Sequence, residues 1–312
     1  YSPDEIMVGV GGKHIIYNAM MATLNPNDEV IIPAPFWVSY PDIVMLAEGK
    51  PVIVKCDASQ DFKITPEQLE NHITKNTKWL MLNSPSNPTG AVYSFNELKA
   101  ISEVLLKHPK VLVMTDDIYE KIIYDDSEFS TIASVEPKIK DRTLTLNGVS
   151  KAYCMTGWRL GYCGGPTDII AGMNKIQSQS TTSTSSISMA ASVEALNGNQ
   201  DFIEKHNIQF KKRRDMVVEK LNKIQGLSCA IPSGAFYIYP SCVGVIGKQT
   251  PKGNTINTDE DFMNYLLDSE GVAGVHGEAF GLSPYFRISY AADNKTLIDA
   301  CERIERACSN LK

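Results

Sequence analysis

The chain has 312 residues, of which 43% are hydrophobic and 21% charged, values typical of a soluble globular enzyme. Thirty basic against 36 acidic residues give a formal net charge of −6, which argues against a nucleic-acid-binding protein because such proteins normally carry a basic excess. No apolar run reaches the ~18–20 residues that span a bilayer. The seven cysteines include no Cys-x-x-Cys pair and the five histidines lack metal-ligand spacing, so we predict a reduced cytoplasmic protein without a metal site.

Short β-branched runs alternate with longer amphipathic stretches, a pattern that predicts an α/β domain with a mainly parallel sheet. The predicted strands are residues 6–10, 29–33, 50–55, 78–83, 111–116, 143–147 and 160–163. The predicted helices are residues 13–24, 40–48, 65–73, 94–108 and a long stretch near 186–224, with a break around 197–199.

The composition changes after about residue 178. A Ser- and Thr-rich tract at residues 178–186 is either a flexible linker or the polar wall of a site. Beyond it, residues 235–239 and 286–290 look like strands of a smaller α+β domain. We therefore predict a large domain over residues 1–197 and a small C-terminal domain over 198–312.

The run Gly9-Val10-Gly11-Gly12-Lys13 follows a strand and opens a helix, a geometry that aims backbone amides at a phosphate. A dinucleotide fingerprint is excluded because His14 stands where its third glycine belongs. A P-loop is excluded because neither Ser nor Thr follows Lys13. A generic phosphate cup and a plain tight turn both remain open.

Two loops carry side chains suited to a flat ligand. Trp37 lies in a proline-stiffened loop, where its indole either stacks on an aromatic ligand or plugs the domain edge. Asn87 follows an apolar strand, so it lies at the strand end where open α/β sheets bind ligands. Its amide can bond a ligand oxygen, although the surrounding residues also fit an ordinary turn.

Asp116 ends another predicted strand, and Tyr119 follows three residues later. A carboxylate at that position can bind a protonated ring nitrogen and favour its charged form, while the phenol can bond a ring oxygen. The alternative is that Asp116 is only a helix cap.

Three cations complete the set of candidates. Lys151 follows a predicted strand and a turn, where partial burial lowers the pKa of an amine and suits it to Schiff-base chemistry. Arg159, flanked by Gly157 and Gly161, offers a fork for a phosphate. Arg287 interrupts an apolar strand and is either a buried ion-pair partner or a clamp for a substrate carboxylate. Together, these residues describe the binding groups of one cofactor, pyridoxal 5′-phosphate.

With these motifs in this order, the chain resembles the class I/II aminotransferases of fold type I, and most closely the bacterial aspartate aminotransferases that carry a GGK motif. The resemblance implies a covalent imine between Lys151 and the cofactor, and contacts to the cofactor or substrate from Gly12, Lys13, Trp37, Asn87, Asp116, Tyr119, Arg159 and Arg287. It further implies that Lys13 approaches the distal carboxylate of the substrate. Members of the family are homodimers, and their chains begin about ninety residues earlier, so an N-terminal arm is expected to be absent here.

The resemblance predicts transfer of the amino group of L-aspartate to 2-oxoglutarate. An aromatic or prephenate aminotransferase of the same family is an alternative. From another class, the chain could be a non-catalytic, aminotransferase-like sensing domain of a transcription regulator. The acidic charge balance argues against the sensing domain.

Overall fold

A computed structural model describes residues 1–312 as alternating strands and helices. The first elements are β1 (Ile6–Gly9), α1 (Gly12–Thr23), β2 (Glu29–Ala34), α2 (Ser39–Leu46), β3 (Lys50–Lys55), α3 (Pro66–His72), β4 (Thr77–Asn83), α4 (Phe95–Lys107), β5 (Leu112–Asp116), α5 (Ile132–Val135), β6 (Thr143–Gly148), β7 (Gly161–Gly164), α6 (Thr167–Ser178) and α7 (Ser186–Asn197). The remaining ones are α8 (Asp201–Leu221), β8 (Tyr237–Ile238), α9 (Asp259–Glu270), β9 (Val275–His276), β10 (Phe286–Ser289) and α10 (Asn294–Ser309).

The seven strands that precede α6 form one sheet in the order β1-β7-β6-β5-β4-β2-β3. Strands β2 to β6 all run parallel to one another, whereas β7 is antiparallel to both β1 and β6. The predicted mainly parallel seven-stranded sheet is confirmed.

Helices cover both faces of this sheet, so successive side chains of its central strands are buried on alternate sides. Helices α1, α2 and α6 cover one face with side chains such as Ile16 and Met173. Helices α3, α4 and α5 cover the other with Leu69, Leu105 and Ile132. Each such buried side chain stabilises the fold by about 1.5–3 kcal/mol.

The helices on the second face begin at well-defined caps. In α3 the Thr65 hydroxyl accepts from the amide of Gln68, whose side chain accepts from the Thr65 amide in return. Ser94 and Glu97 form the same reciprocal pair at α4. Capping boxes of this kind satisfy amides that the first helical turn leaves without acceptors, so they fix where each helix begins.

A second sheet, in the order β8-β10-β9, is antiparallel throughout and packs with α8, α9 and α10. Its core includes Phe262, Phe286 and Ile304, and also Tyr119 and Leu160 from the first part of the chain. The division at residue 197 therefore stays a prediction, because one core contains side chains from both sides of it.

Several predicted elements differ in extent from the observed ones. The strand predicted at 235–239 contains only Tyr237–Ile238, because Ala235 has a left-handed φ of 56° and Pro240 has no amide to donate. The long helix near 186–224 is two helices, and the break falls at residues 198–200, next to the predicted 197–199. The sequence prediction omits helices α5, α6, α9 and α10 and strand β9, although the buried side chains of α10 (Leu297, Cys301, Ile304, Cys308) recur at helical spacing.

The Ser- and Thr-rich tract joins α6 to α7 as a largely exposed loop. No helix of the chain combines the length and the apolar character needed to cross a membrane.

Candidate active site

A cavity of about 390 Å³ opens where β4, β5 and β6 end. Asn83, the last residue of β4, lies in register beside Asp116, the last residue of β5. Lys151 follows the end of β6, so the carboxyl ends of three parallel strands bring these groups to one edge of the sheet. The lining residues are Gly12, Lys13, Trp37, Asn83, Asn87, Asp116, Ile118, Tyr119, Ser150, Lys151, Thr156, Arg159, Tyr237 and Arg287.

Lys151 is half-buried, with its Nζ 5.6 Å from the ring centre of Tyr119 and 5.7 Å from that of Phe236. Burial lowers the pKa of this amine, and the positive charges of Arg287 and Arg159 lower it further, while Asp116 opposes the shift. The direction agrees with the sequence prediction. A lysine in this setting holds its proton less firmly than an exposed one and is a better nucleophile.

Asp116 is buried, and its Oδ2 accepts a hydrogen bond of 2.7 Å from the hydroxyl of Tyr40. Desolvation raises the pKa of this carboxyl to about 6, against the hydrogen bonds from Tyr40 and the Ile118 amide. Tyr40 is itself held edge-on by Trp37, with ring centres 5.5 Å apart. Burial therefore disfavours the charged form of Asp116 when no cation is near. A cationic group of a ligand placed against this carboxylate would stabilise its charged form.

The N-terminus of α1 and Arg159 form one corner of the cavity. Gly11 precedes the helix with φ at 85°, and a Cβ built there would lie 2.5 Å from the Arg159 guanidinium, so only glycine fits. A Cβ on Gly161 would lie 2.5 Å from the Gly12 amide nitrogen. The exposed Arg159 is fixed by a 2.8 Å hydrogen bond from its Nη1 to the Thr156 carbonyl. Free first-turn amides beside a guanidinium make an anion-binding corner.

Arg287 projects from β10 into the cavity. Its guanidinium lies between the rings of Tyr237 at 4.8 Å and Phe280 at 5.0 Å, and its Nη1 donates to Asn87 Oδ1 at 2.8 Å. The alternative of a buried ion pair is excluded, because Arg287 forms no salt bridge. A guanidinium held by two rings and an amide keeps its remaining donors for a carboxylate.

The loop that carries Asn87 is anchored to the sheet by Asn83. The Asn83 side chain donates to the Asp116 carbonyl at 2.7 Å and accepts from the Asn87 amide at 2.8 Å. These two bonds fix Asn87 relative to the end of β5. Tyr119 also lines the cavity, and its hydroxyl lies 2.9 Å from that of Tyr237.

Lys13 and Trp37 lie together at the mouth of the cavity, where the Lys13 Nζ is 4.9 Å from the indole centre. Lys13 is exposed and Trp37 half-buried. Trp37 lines the cavity, and its indole also contacts the Lys13 ammonium. These contacts favour the interpretation of Trp37 as a site residue over that of a plug at the domain edge.

The cavity carries an excess of positive charge. Four cations line it, Lys13, Lys151, Arg159 and Arg287, and none forms a salt bridge within the chain. Asp116 is the only carboxylate among the lining residues. Such a site suits a ligand with several negative charges and one basic nitrogen, a description that pyridoxal 5′-phosphate together with an acidic amino acid satisfies.

All nine residues singled out from the sequence line this one cavity. The Ser- and Thr-rich tract does not line it, so the tract is no wall of the site within its own subunit. Sequence reasoning misses Tyr40 and Tyr237, since a tyrosine inside an apolar segment carries no signal that distinguishes a site residue from a core residue. It also misses Asn83, whose position at the start of a turn gives no sign of its anchoring bonds.

Comparison with known proteins gives the family. The model for "Aminotransferase class I and II" matches residues 1–304. The chain belongs to this family. An aspartate aminotransferase of Rhizobium meliloti is 57% identical over 311 residues, which cover 100% of this chain and 76% of the relative. An aspartate/prephenate aminotransferase of Cereibacter sphaeroides is 55% identical, with coverage of 100% and 78%.

Among solved structures, a crystal structure of the Rhizobium meliloti aspartate aminotransferase has a TM-score of 0.98 at 56% identity, covering 100% of this chain and 78% of the other. The resemblance seen in the sequence motifs is therefore confirmed, as is the prediction that the chain is an aminotransferase. Aminotransferases of this family act on amino and oxo acids and depend on pyridoxal 5′-phosphate.

Proposed function

We propose that the chain is a pyridoxal-phosphate-dependent aspartate aminotransferase, which transfers the amino group of L-aspartate to 2-oxoglutarate to give oxaloacetate and L-glutamate by a ping-pong mechanism. The observation that carries this proposal is the cavity in which four unpaired cations surround a single buried carboxylate. The relatives named aspartate aminotransferase support it.

The lining residues divide into groups that fit successive parts of the cofactor. Lys151 would bind it covalently, and Asp116 would bind its ring nitrogen. The remaining proposed contacts are Trp37 on the ring face, Asn87 and Tyr119 at the phenolic oxygen, and Arg159 with the amides of Gly12 and Lys13 at the phosphate. The support for this arrangement is that each group lies on the wall of the same cavity.

The bound cofactor supplies an electron sink for the pair of electrons released at the substrate α-carbon. The chain must then hold the substrate and move one proton. Arg287 would bind the α-carboxylate through donors that Asn87 does not use. Lys151, whose pKa is lowered by burial, would take up the α-proton at Nζ and return it in the reverse half-reaction.

Preference for a dicarboxylic substrate rests on Lys13. Its ammonium has no acidic partner in the chain and stands at the mouth of the cavity, on the same wall as Trp37. A second carboxylate on the substrate would neutralise it. Prephenate, which also carries two carboxylates, is the second candidate acceptor, favoured by relatives named aspartate/prephenate aminotransferase.

We also propose that the protein is a cytoplasmic homodimer. Helix α7 exposes Ile187 by 73% and Val193 by 59%, an apolar surface that an interface would cover. The neighbouring tract at 178–186 lines no part of its own cavity and is free to reach a partner subunit. Light scattering should give twice the chain mass, and substitution of Ile187 and Val193 by Asp should halve it. A monomeric unsubstituted protein would contradict the dimer.

A half-reaction screen tests the proposed activity. The cofactor-loaded protein is mixed with single amino acids, and conversion to the amine form of the cofactor is followed by absorbance. We expect fast conversion with aspartate and glutamate, slow conversion with tyrosine and none in Lys151→Ala. Comparable rates for tyrosine would favour the aromatic alternative, and no conversion with any amino acid would contradict an aminotransferase.

A further inference from the structure

Tyr237 links the two sheets at the site. It lies in β8 of the small sheet, where it pairs with Ser289 of β10. Because side chains alternate along a strand, Arg287, two residues from Ser289, lies on the same face as Tyr237. Tyr119 follows β5 of the large sheet, and both tyrosines line the cavity. Tyr237 therefore contacts both Tyr119 and Arg287, two residues that line the cavity.

The first contact is between hydroxyls. The Tyr237 and Tyr119 oxygens are 2.9 Å apart, and both side chains are buried. If Tyr119 donates its own proton to a ligand oxygen, Tyr237 must be the donor in this pair, because each phenol has one O–H. A hydroxyl that accepts a hydrogen bond becomes a stronger donor, so the two phenols form a directed chain.

The second contact is between a ring and a cation. The Arg287 guanidinium lies 4.8 Å from the Tyr237 ring centre, and Phe280 supports its other side at 5.0 Å. No carboxylate holds Arg287, so these rings and Asn87 determine where the guanidinium points. Cation–π contacts contribute ~0.5–2 kcal/mol, depending on how far the cation is desolvated.

We propose that Tyr237 is a positioning residue with two separable functions: its hydroxyl orients and strengthens Tyr119 as a donor to the cofactor ring oxygen, and its ring fixes Arg287 for the substrate carboxylate. The inference rests on the proposed function, since it assigns Tyr119 to the cofactor and Arg287 to the substrate. It concerns a residue that contacts neither reacting atom.

The two functions separate in two substitutions. Tyr237→Phe keeps the ring and removes the hydroxyl. A weaker bond from Tyr119 draws less negative charge from the ring oxygen, so the nitrogen that joins lysine and cofactor keeps its proton to higher pH. We expect the pH midpoint of the cofactor absorbance to rise by roughly half a pH unit, with KM values changed less than about twofold.

Tyr237→Leu removes the ring as well. We expect KM for both amino and oxo acids to rise roughly 3- to 30-fold in this variant, the range that a cation–π contact supports. Two further variants calibrate the absorbance titration. In a Tyr119→Phe background, Tyr237→Phe should give no additional shift. Tyr239→Phe removes a buried hydroxyl that donates to Leu282 outside the cavity, and it should leave the midpoint unchanged.

The outcomes distinguish this inference from the proposed function. If the unsubstituted protein converts amino acids but Tyr237→Phe leaves the midpoint unmoved, or shifts it equally in the Tyr119→Phe background, the role of the hydroxyl is overturned. An unchanged KM in Tyr237→Leu overturns the role of the ring. If the unsubstituted protein shows no cofactor absorbance, both the inference and the proposed function fail. Because Tyr237→Phe preserves the ring volume, the test of the hydroxyl does not depend on the folding of the leucine variant.

Discussion

Asp116→Asn should stabilise the cofactor-free protein while weakening its hold on the cofactor. The carboxyl is buried with one strong donor, the Tyr40 hydroxyl, and its other oxygen accepts only a long bond of 3.4 Å from the Ile118 amide. Without a cationic ligand, the negative charge is poorly compensated. Asparagine keeps the shape and an oxygen that accepts from Tyr40, but carries no charge.

The size of the effect follows from the pKa of Asp116. Burial raises this pKa from an ordinary value of 3.8 to about 6, so the folded state favours the neutral form. Stability is therefore greatest below pH ~4 and is lost as the pH rises to ~6. The loss is about 3 kcal/mol, because a tenfold change in a protonation equilibrium corresponds to ~1.4 kcal/mol. Above pH 6, Asp116→Asn should recover most of that loss, and at pH 4 the two proteins should be nearly equal in stability.

Urea unfolding of the cofactor-free proteins between pH 4 and 8 measures the gain in folding stability. The dissociation constant of the cofactor measures the loss of affinity. We expect cofactor binding to weaken roughly 100-fold, because the substitution removes one partner of a buried charge pair. Asp117→Asn is the matched control. Asp117 is also buried with a pKa raised to about 7, but it accepts from Thr115 and does not line the cavity.

The control should therefore gain stability at high pH without losing cofactor affinity. A gain for Asp116→Asn that does not vary with pH would refute the electrostatic argument, and so would unchanged cofactor affinity.

Three other substitutions test single contacts. Arg287→Ala should raise KM for amino and oxo acids roughly 10- to 100-fold in steady-state assays and leave the cofactor dissociation constant unchanged, whereas loss of cofactor would contradict its assignment to substrate. Arg159→Ala should do the opposite, weakening cofactor binding in equilibrium dialysis roughly 10- to 100-fold. Lys13→Met keeps the aliphatic stem beside Trp37, so it should lower kcat/KM for aspartate roughly tenfold but not for phenylalanine; an equal loss for both would remove Lys13 from substrate selection.

The sequence is informative where the chemistry requires particular residue types. Lys151, Asp116 and Arg287 are charged groups at positions that otherwise predict burial, and that conflict between local pattern and residue type marks them as site residues. The parallel sheet can be predicted from apolar runs bounded by turns, because a strand that is buried on both faces needs apolar side chains on both of them.

The parts that could not be predicted depend on contacts between distant segments. Tyr40 lies 76 residues from Asp116, and Tyr237 lies 118 residues from Tyr119, and nothing local to either tyrosine indicates its partner. The strand predicted at 235–239 is too long for a similar reason. Its apolar pattern is continuous, but Ala235 has a left-handed backbone and its amide donates to the carbonyl of Ile122, a residue distant in the sequence.

The central claim is that Lys151 carries the cofactor. Borohydride reduction of the cofactor-loaded protein, followed by digestion and peptide mass spectrometry, tests it directly, since reduction makes a lysine–cofactor link permanent. We predict that the added mass lies on the peptide containing Lys151 and on no other lysine, and that Lys151→Ala protein gains none. Modification at Lys13 or at several surface lysines, with Lys151 unmodified, would contradict the account.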